Sequence, residues 1–356
     1  MTHPRQSDDP LIGETLAGRW AITRLLSHGD TATVYAAKDQ STHGRVAIKV
    51  LHRALVRDPE ARTRFDREHQ TGRLLAHSNL VAVFGDGELE DGRPYFAMEL
   101  VDGRPLSTLL QKEPLPPSFA LSVAAQVARA LEVAHAAGVV HRDIQPQNIL
   151  ILRGDQAKLV DFGHALQESS ARITQAGMQI AHPTWISPEG ARGEDPGPPA
   201  DIYALGVVLF QMLCGRPPFM GSTMKLLEAH MRAPPPPLVV TVAGIPTWMD
   251  DMIARLLAKD PAERPTAADA AAWLESAFAD QSPSDVSANN DATAHPQGSF
   301  PVGVTQAADL PAPPEDPRDA ARPLRANWLA WGGAGVAILA IAGAFALAFY
   351  LGGVLG

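Results

Sequence analysis

Two short runs near the middle of the chain restrict its fold more than any bulk property does. They are His141-Arg142-Asp143-Ile144-Gln145-Pro146-Gln147-Asn148 and, beginning thirteen residues after Asn148, Asp161-Phe162-Gly163. Taken singly, Asp and Asn in such runs are ordinary turn formers, because their short side chains hydrogen-bond the nearby backbone. That reading does not survive their joint order and spacing, which are repeated on a larger scale by Val46-Ala47-Ile48-Lys49 upstream and Ser187-Pro188-Glu189 downstream. The 356 residues are 46% hydrophobic, enough for a sizeable core. A net charge of -9 without a basic stripe argues against nucleic acid as a partner. The single cysteine, Cys214, excludes an internal disulfide framework, fits a reducing compartment and reads as a small buried hydrophobe.

The pattern of apolar residues changes along the chain. From Trp20 to about Val101, short β-branched and aromatic runs broken by Gly, Asp and Pro predict strands at Trp20–Leu26, Thr33–Lys38, Arg45–Leu51, Val81–Gly85 and Tyr95–Leu100. One charged helix is expected among them, at Asp58–Leu75. After Leu106 the period becomes helical, with Ser118–Ala137, Asp201–Leu213, Met224–Met231, Pro246–Ala258 and Ala267–Phe278 as the expected helices. The reading is α+β, with a small strand-rich lobe at 20–101 and a larger helical one at 102–279. Residues 1–19 are read as an N-terminal extension; Met1–Pro10 has no apolar stretch of the kind a cleaved secretory signal needs.

Residues 280–326 are rich in Pro, Ala, Ser and Asp, and this composition predicts a disordered linker reaching on the order of 40 Å. Residues 327–351 predict a transmembrane helix: Trp328–Leu351 has no charged residue and at ~1.5 Å per residue extends about 36 Å, enough for a ~30 Å hydrocarbon core. Trp328, Trp331 and Tyr350 sit near its ends, where amphipathic rings favour the membrane interface. Arg318, Arg322 and Arg325 precede it and no Lys or Arg follows, which places the N-terminal side in the cytoplasm and a short tail, 352–356, outside. Ala340, Ala344, Ala348 and Gly352 form a small-residue stripe on one face of that helix, a surface for homodimerisation.

The quoted motifs resemble those of protein kinases over Trp20–Phe278, and the single C-terminal span makes the whole similar to the membrane-anchored bacterial eukaryotic-like serine/threonine kinases. The resemblance implies the bilobal kinase fold, ATP with Mg²⁺ (or Mn²⁺) as cofactor, protein substrates, and a catalytic domain on the cytoplasmic face of a bacterial inner membrane. It implies that Lys49 binds the α- and β-phosphates and that Glu68, rather than Glu60, pairs with it. Asp143 is then the catalytic base, and Asn148 and Asp161 hold the metal. Ser27, Gly29 and Val34 would cover the nucleotide. Ala47, Met98 and Leu150 would enclose adenine, whose edge would meet the backbone of Glu99 and Val101. Asp201 would brace the catalytic loop, and Glu189 would pair with Arg264.

Three features depart from the family pattern. Ser27 and Ala32 replace two of the three glycines expected around Gly29, so weaker ATP binding is expected, because side chains hinder close approach of the backbone to phosphate. Gln145 stands where these kinases carry a lysine, and His182 where they carry a threonine. A neutral amide cannot offset transition-state charge, so turnover should be lowered unless a protonated His182 restores it. An active kinase and an ATP-binding pseudokinase acting as a membrane scaffold are therefore both open at the level of sequence. Of Ser169, Ser170 and Thr174, Thr174 best matches an activating phosphorylation site, with Arg142 placed to receive the phosphate.

Overall fold

The computed structural model describes residues 9–111, 113–162, 182–238 and 245–281. Gly163, Ser169, Ser170 and Thr174, the expected linker beyond Gln281 and the apolar segment Trp328–Leu351 with its small-residue stripe lie outside the described residues. Among the described residues no helix is long and apolar enough to cross a membrane.

The small lobe is a six-stranded antiparallel sheet of order β1-β2-β3-β4-β6-β5. Its strands are β1 (Thr15–Leu16), β2 (Trp20–His28), β3 (Ala32–Asp39), β4 (Arg45–Leu51), β5 (Val83–Glu88) and β6 (Pro94–Glu99). Strand side chains alternate between faces. Thus Val46, Ile48 and Val50 of β4 join Trp20, Ile22, Tyr35 and Tyr95 in one apolar cluster. Ala47, Lys49 and Leu51 face the other way, Leu51 packing with Ala32, Phe65 and Phe96. This parity is what turns Lys49 toward the helix α1 (Pro59–Leu74).

The lobe begins earlier than the sequence pattern indicates. Leu11 and Leu16 belong to the Trp20 cluster, and the Tyr35 hydroxyl donates to Asp9 Oδ2 at 2.9 Å. Residues 9–19 thus pack against the small lobe. Their apolar anchors, Leu11, Ile12 and Leu16, lie in a turn and a two-residue strand, too short to show a period.

The large lobe contains a second sheet that the strand signals did not reveal, β7 (Gly103–Pro105), β8 (Ile149–Leu152) and β9 (Ala157–Leu159). Around it lie α2 (Leu106–Leu110), α3 (Pro117–Ala136), α4 (Pro188–Ala191), α5 (Pro198–Cys214), α6 (Thr223–Arg232), α7 (Thr247–Leu256) and α8 (Ala267–Gln281). Helix α5 is apolar on all sides and buried almost throughout, as expected of a helix surrounded by others. It ends at Gly215, whose φ of 72° is the left-handed cap that glycine adopts without strain. Cys214 is partly buried, and that burial raises its thiol to about 11.

Midway along α5, Gly206 lets α7 approach closely: a Cβ there would lie 2.8 Å from Leu256 Cβ and 3.0 Å from Leu257 Cδ2. Gly206→Ala is expected to destabilise the protein by about 1–3 kcal/mol through overpacking, despite alanine's better helix propensity. Urea unfolding of the two proteins checks this; equal midpoints would show that the helices yield freely.

Candidate active site

Helix α1 begins with Asp58, whose carboxylate accepts from the backbone amides of Glu60 and Ala61, with Pro59 preset for the first turn. Ala61, Phe65 and Glu68 then fall on one face of the helix, facing the sheet, while Glu60 is exposed. The Phe65 ring lies 5.0 Å from that of Phe96, the residue paired with Lys49 across β4 and β6. This packing fixes the helix so that Lys49 Nζ meets both Glu68 carboxylate oxygens at 2.6 Å. Burial pulls the Lys49 ammonium down, but the carboxylates of Glu68 and Asp161 outweigh it and hold the group above its usual range. Lys49, Glu68 and Asp161 line one cavity of about 80 Å³ with Thr31, Leu51 and Phe65.

The catalytic loop hangs from α5. Asp201, 1% exposed, accepts the backbone amides of His141 and Arg142 at 2.8 Å and lies 2.8 Å from His135 Nε2. Arg142 has φ +66°, a left-handed conformation costing about 1–3 kcal/mol for a non-glycine residue. The bonds to Asp201 hold that bend and aim Asp143. Both Asp143 oxygens accept from Gln145 Nε2 at 2.8 Å, and Asn148 Nδ2 donates to Asp143 Oδ2 and to its backbone oxygen at 2.8 and 2.9 Å. With its nitrogen so engaged, Asn148 presents Oδ1 as its acceptor.

Asp161 also has a left-handed backbone, φ +67°, and follows Val160, whose amide donates to the Asn148 carbonyl at 2.9 Å. Phe162 anchors this segment, buried against the His141 ring at 4.5 Å. Asn148 and Asp161 thus lie on segments joined by this backbone hydrogen bond, and an amide oxygen with a carboxylate suits a hard, oxygen-seeking divalent cation.

The expected adenine pocket is built from the same sheet face. Val34 pairs with Lys49, and Ala47 pairs with Met98. Leu150 lies on β8. The Glu99 amide is engaged with the Ala82 carbonyl at 2.8 Å. The Val101 amide makes no hydrogen bond to any described residue. At the β2–β3 tip, Ser27 and Gly29 are exposed, whereas Ala32 is buried beside Phe65 and Phe96. The alanine that replaces a glycine thus packs inward.

Several features escaped the sequence reading. His28 and His52 stack at 4.5 Å and both reach Thr33 Oγ1, at 2.9 and 3.1 Å, tying down the tip that keeps only Gly29 of the three expected glycines. Buried Lys158 bonds Glu99 Oε2 at 2.7 Å behind the segment joining the lobes. Gln145 is more than a missing charge, since it grips Asp143. His182 is exposed, with its ring 6.5 Å from that of Trp185, and makes no hydrogen bond to Asp143 or Gln145.

Residues 20–274 match the family model of the protein kinase domain, and the chain belongs to that family. It is 40% identical over 261 residues to the serine/threonine-protein kinase PknA of Mycobacterium tuberculosis, covering 72% of this chain and 60% of that protein. It is 38% identical over 273 residues to Pkn1 of Myxococcus xanthus, covering 74% of this chain and 39% of that protein. The match thus spans about 60% or less of each of these two relatives. The crystal structure of the M. tuberculosis PknI kinase domain is similar, with a TM-score of 0.58 at 29% identity over 74% of this chain and 98% of that one.

Proposed function

We propose that the chain is a serine/threonine protein kinase that transfers the γ-phosphate of ATP to protein hydroxyls while tethered to the cytoplasmic face of a membrane. The observation that carries the catalytic part is the Lys49–Glu68 ion pair at 2.6 Å, which joins the two elements of the small lobe that must act together. Lys49 then holds the α- and β-phosphates, and the backbone at Glu99 and Val101 orients adenine. Asp143 receives the proton of the substrate hydroxyl as its oxygen bonds phosphorus; the bond from phosphorus to the bridging oxygen breaks, and ADP leaves with the electron pair. Mg²⁺, when bound, neutralises charge spreading over the phosphate oxygens, and Asn148 and Asp161 are the residues to hold it.

The pseudokinase reading is not favoured: Lys49 pairs with Glu68, Asn148 donates to Asp143, and the relatives matched are named serine/threonine-protein kinases. Membrane tethering rests on the charge-free Trp328–Leu351 segment and the arginines before it. The small-residue stripe at Ala340, Ala344, Ala348 and Gly352 supports pairing of two such helices, which would raise the effective concentration of one kinase domain for another.

In the presence of Mg²⁺, ATP at a hundred times its Kd is expected to stabilise the folded protein by roughly 2.7 kcal/mol, and the same ATP concentration should stabilise it less without the metal. Thermal unfolding with and without the metal measures this; a folded protein indifferent to nucleotide would refute the site. Membrane fractionation with and without residues 327–356 tests the tether, which is wrong if both forms sediment alike.

A further inference from the structure

The small lobe carries another cavity, of about 240 Å³, which shares no lining residue with the cavity around Lys49. Arg24 of β2, Lys38 of β3, Arg45 of β4 and His43 in the β3–β4 connection line it, beside the buried Ala36 and half-buried Leu100, and none of its lining residues is acidic. The strand register puts three of these cations on one face: Arg24 is opposite Ala36, two residues before Lys38, and Lys38 is directly opposite Arg45. His43 reaches the cavity through a left-handed backbone, φ +60°, which residues other than glycine seldom adopt. Among the described residues, none of the four makes an ion pair or a side-chain hydrogen bond. Like charges directly opposite on neighbouring strands are destabilising, so Lys38 and Arg45 cost the lobe stability unless a negative charge lies between them. A single exposed cation is merely solvated; this group, around one hollow and without a carboxylate in a chain of net charge -9, makes a focused positive field.

We infer that this cavity is an accessory anion site that takes the phosphate of a phosphomonoester, apart from any phosphate held at Lys49. A phosphate dianion offers about two charges and three acceptor oxygens, enough to meet two guanidinium forks and an ammonium together, and the His43 ring supplies a further N–H. Guanidinium geometry matches phosphate, whereas a carboxylate, with one charge, would neutralise fewer of the three permanent cations. Along β4, Arg45 is about 13 Å from Lys49 at ~3.3 Å per residue, and the expected adenine pocket at Ala47 and Met98 lies between, so the two sites hold different molecules. The inference stands independently of the phosphate-transfer reading.

The test titrates inorganic phosphate, and then O-phosphoserine, into the full chain at about 0.15 M chloride, where diffuse surface attraction is largely screened. Saturating ADP with Mg²⁺ keeps the anion from the nucleotide site. Wild type is expected to bind one phosphate per chain. The double variant Lys38→Gln/Arg45→Gln should bind it about a hundredfold more weakly, the loss of two charge-assisted bonds, while Lys38→Arg, which keeps the charge, stays within about threefold of wild type. Urea unfolding adds a readout that a merely structural role would not move. Without phosphate the double variant should unfold at the same or a higher midpoint than wild type, because the opposed charges are gone; with phosphate, only wild type should gain. O-phosphoserine binding at least as tightly as phosphate supports a phosphorylated side chain as the source, and weaker binding supports the free ion. No saturable phosphate binding by wild type, or equal binding by wild type and the double variant, would overturn the inference. If ADP itself fails to bind, the nucleotide reading fails, and the comparison of wild type with the double variant still decides this inference, since Lys49 is present in both.

Discussion

Replacing Asp143 with asparagine is expected to lower the rate of phosphate transfer by about 10²–10⁴-fold, the range associated with loss of a positioned general base. Nucleotide affinity should change little, because Lys49 and the segment around Glu99 and Val101 are untouched. The substitution also disturbs the loop. The Asp143 oxygens accept from Gln145 Nε2 and Asn148 Nδ2, and an amide in their place would set one nitrogen donor against others. That mismatch is expected to cost about 1–3 kcal/mol. Single-turnover rates, nucleotide Kd and urea midpoints separate the two effects. A rate loss no larger than the stability loss explains would mean that Asp143 only supports the loop.

The largest expected effect on stability is at Arg264. Its guanidinium donates to both Glu189 oxygens at 2.7 and 2.8 Å and to the carbonyls of Ala258 and Pro199 at 2.8 Å, and it lies 5.0 Å from the Tyr203 ring centre. The side chains of Arg264 and Glu189 are 0% and 6% exposed. Arg264→Ala leaves a buried carboxylate and several carbonyls without their donor, a loss of about 3–5 kcal/mol.

The same pair sets a pH dependence. Burial pushes the Glu189 carboxyl up, but the hydrogen bonds and charge of Arg264 outweigh it and hold the group below its usual range. A carboxyl that is more acidic in the folded state binds fewer protons there than in the unfolded chain. Its contribution is therefore present above the ordinary carboxylate value and lost as pH falls through the lower folded one. Wild type should lose stability in that acid window, and Arg264→Ala should lose less there. Parallel pH profiles for the two proteins would contradict the assignment.

What the sequence disclosed, and what it hid, follows from the range of each interaction. Glu68 was legible as the partner of Lys49 through the family resemblance, and the parity of β4 with the shared face of Ala61, Phe65 and Glu68 on α1 is the local geometry that brings the two together. The brace from Asp201 and the Glu189–Arg264 pair were legible only through the family resemblance, because their partners lie 60 and 75 residues apart. The Gln145 grip on Asp143 and the His28–Thr33–His52 contact have no such guide, since each depends on side-chain conformations that no periodicity encodes. The β7–β9 sheet was missed because strands of three or four residues are too short to show alternation.

The central claim is phosphate transfer to serine or threonine by the group at Asp143. The most direct measurement incubates the full chain with γ-labelled ATP, Mg²⁺ and a generic basic protein, then identifies the labelled amino acids after hydrolysis, beside the Asp143→Asn protein. The account predicts label on phosphoserine or phosphothreonine from wild type and almost none from Asp143→Asn. A wild type that binds ATP yet leaves every protein unlabelled, or an Asp143→Asn protein that labels equally well, would contradict it.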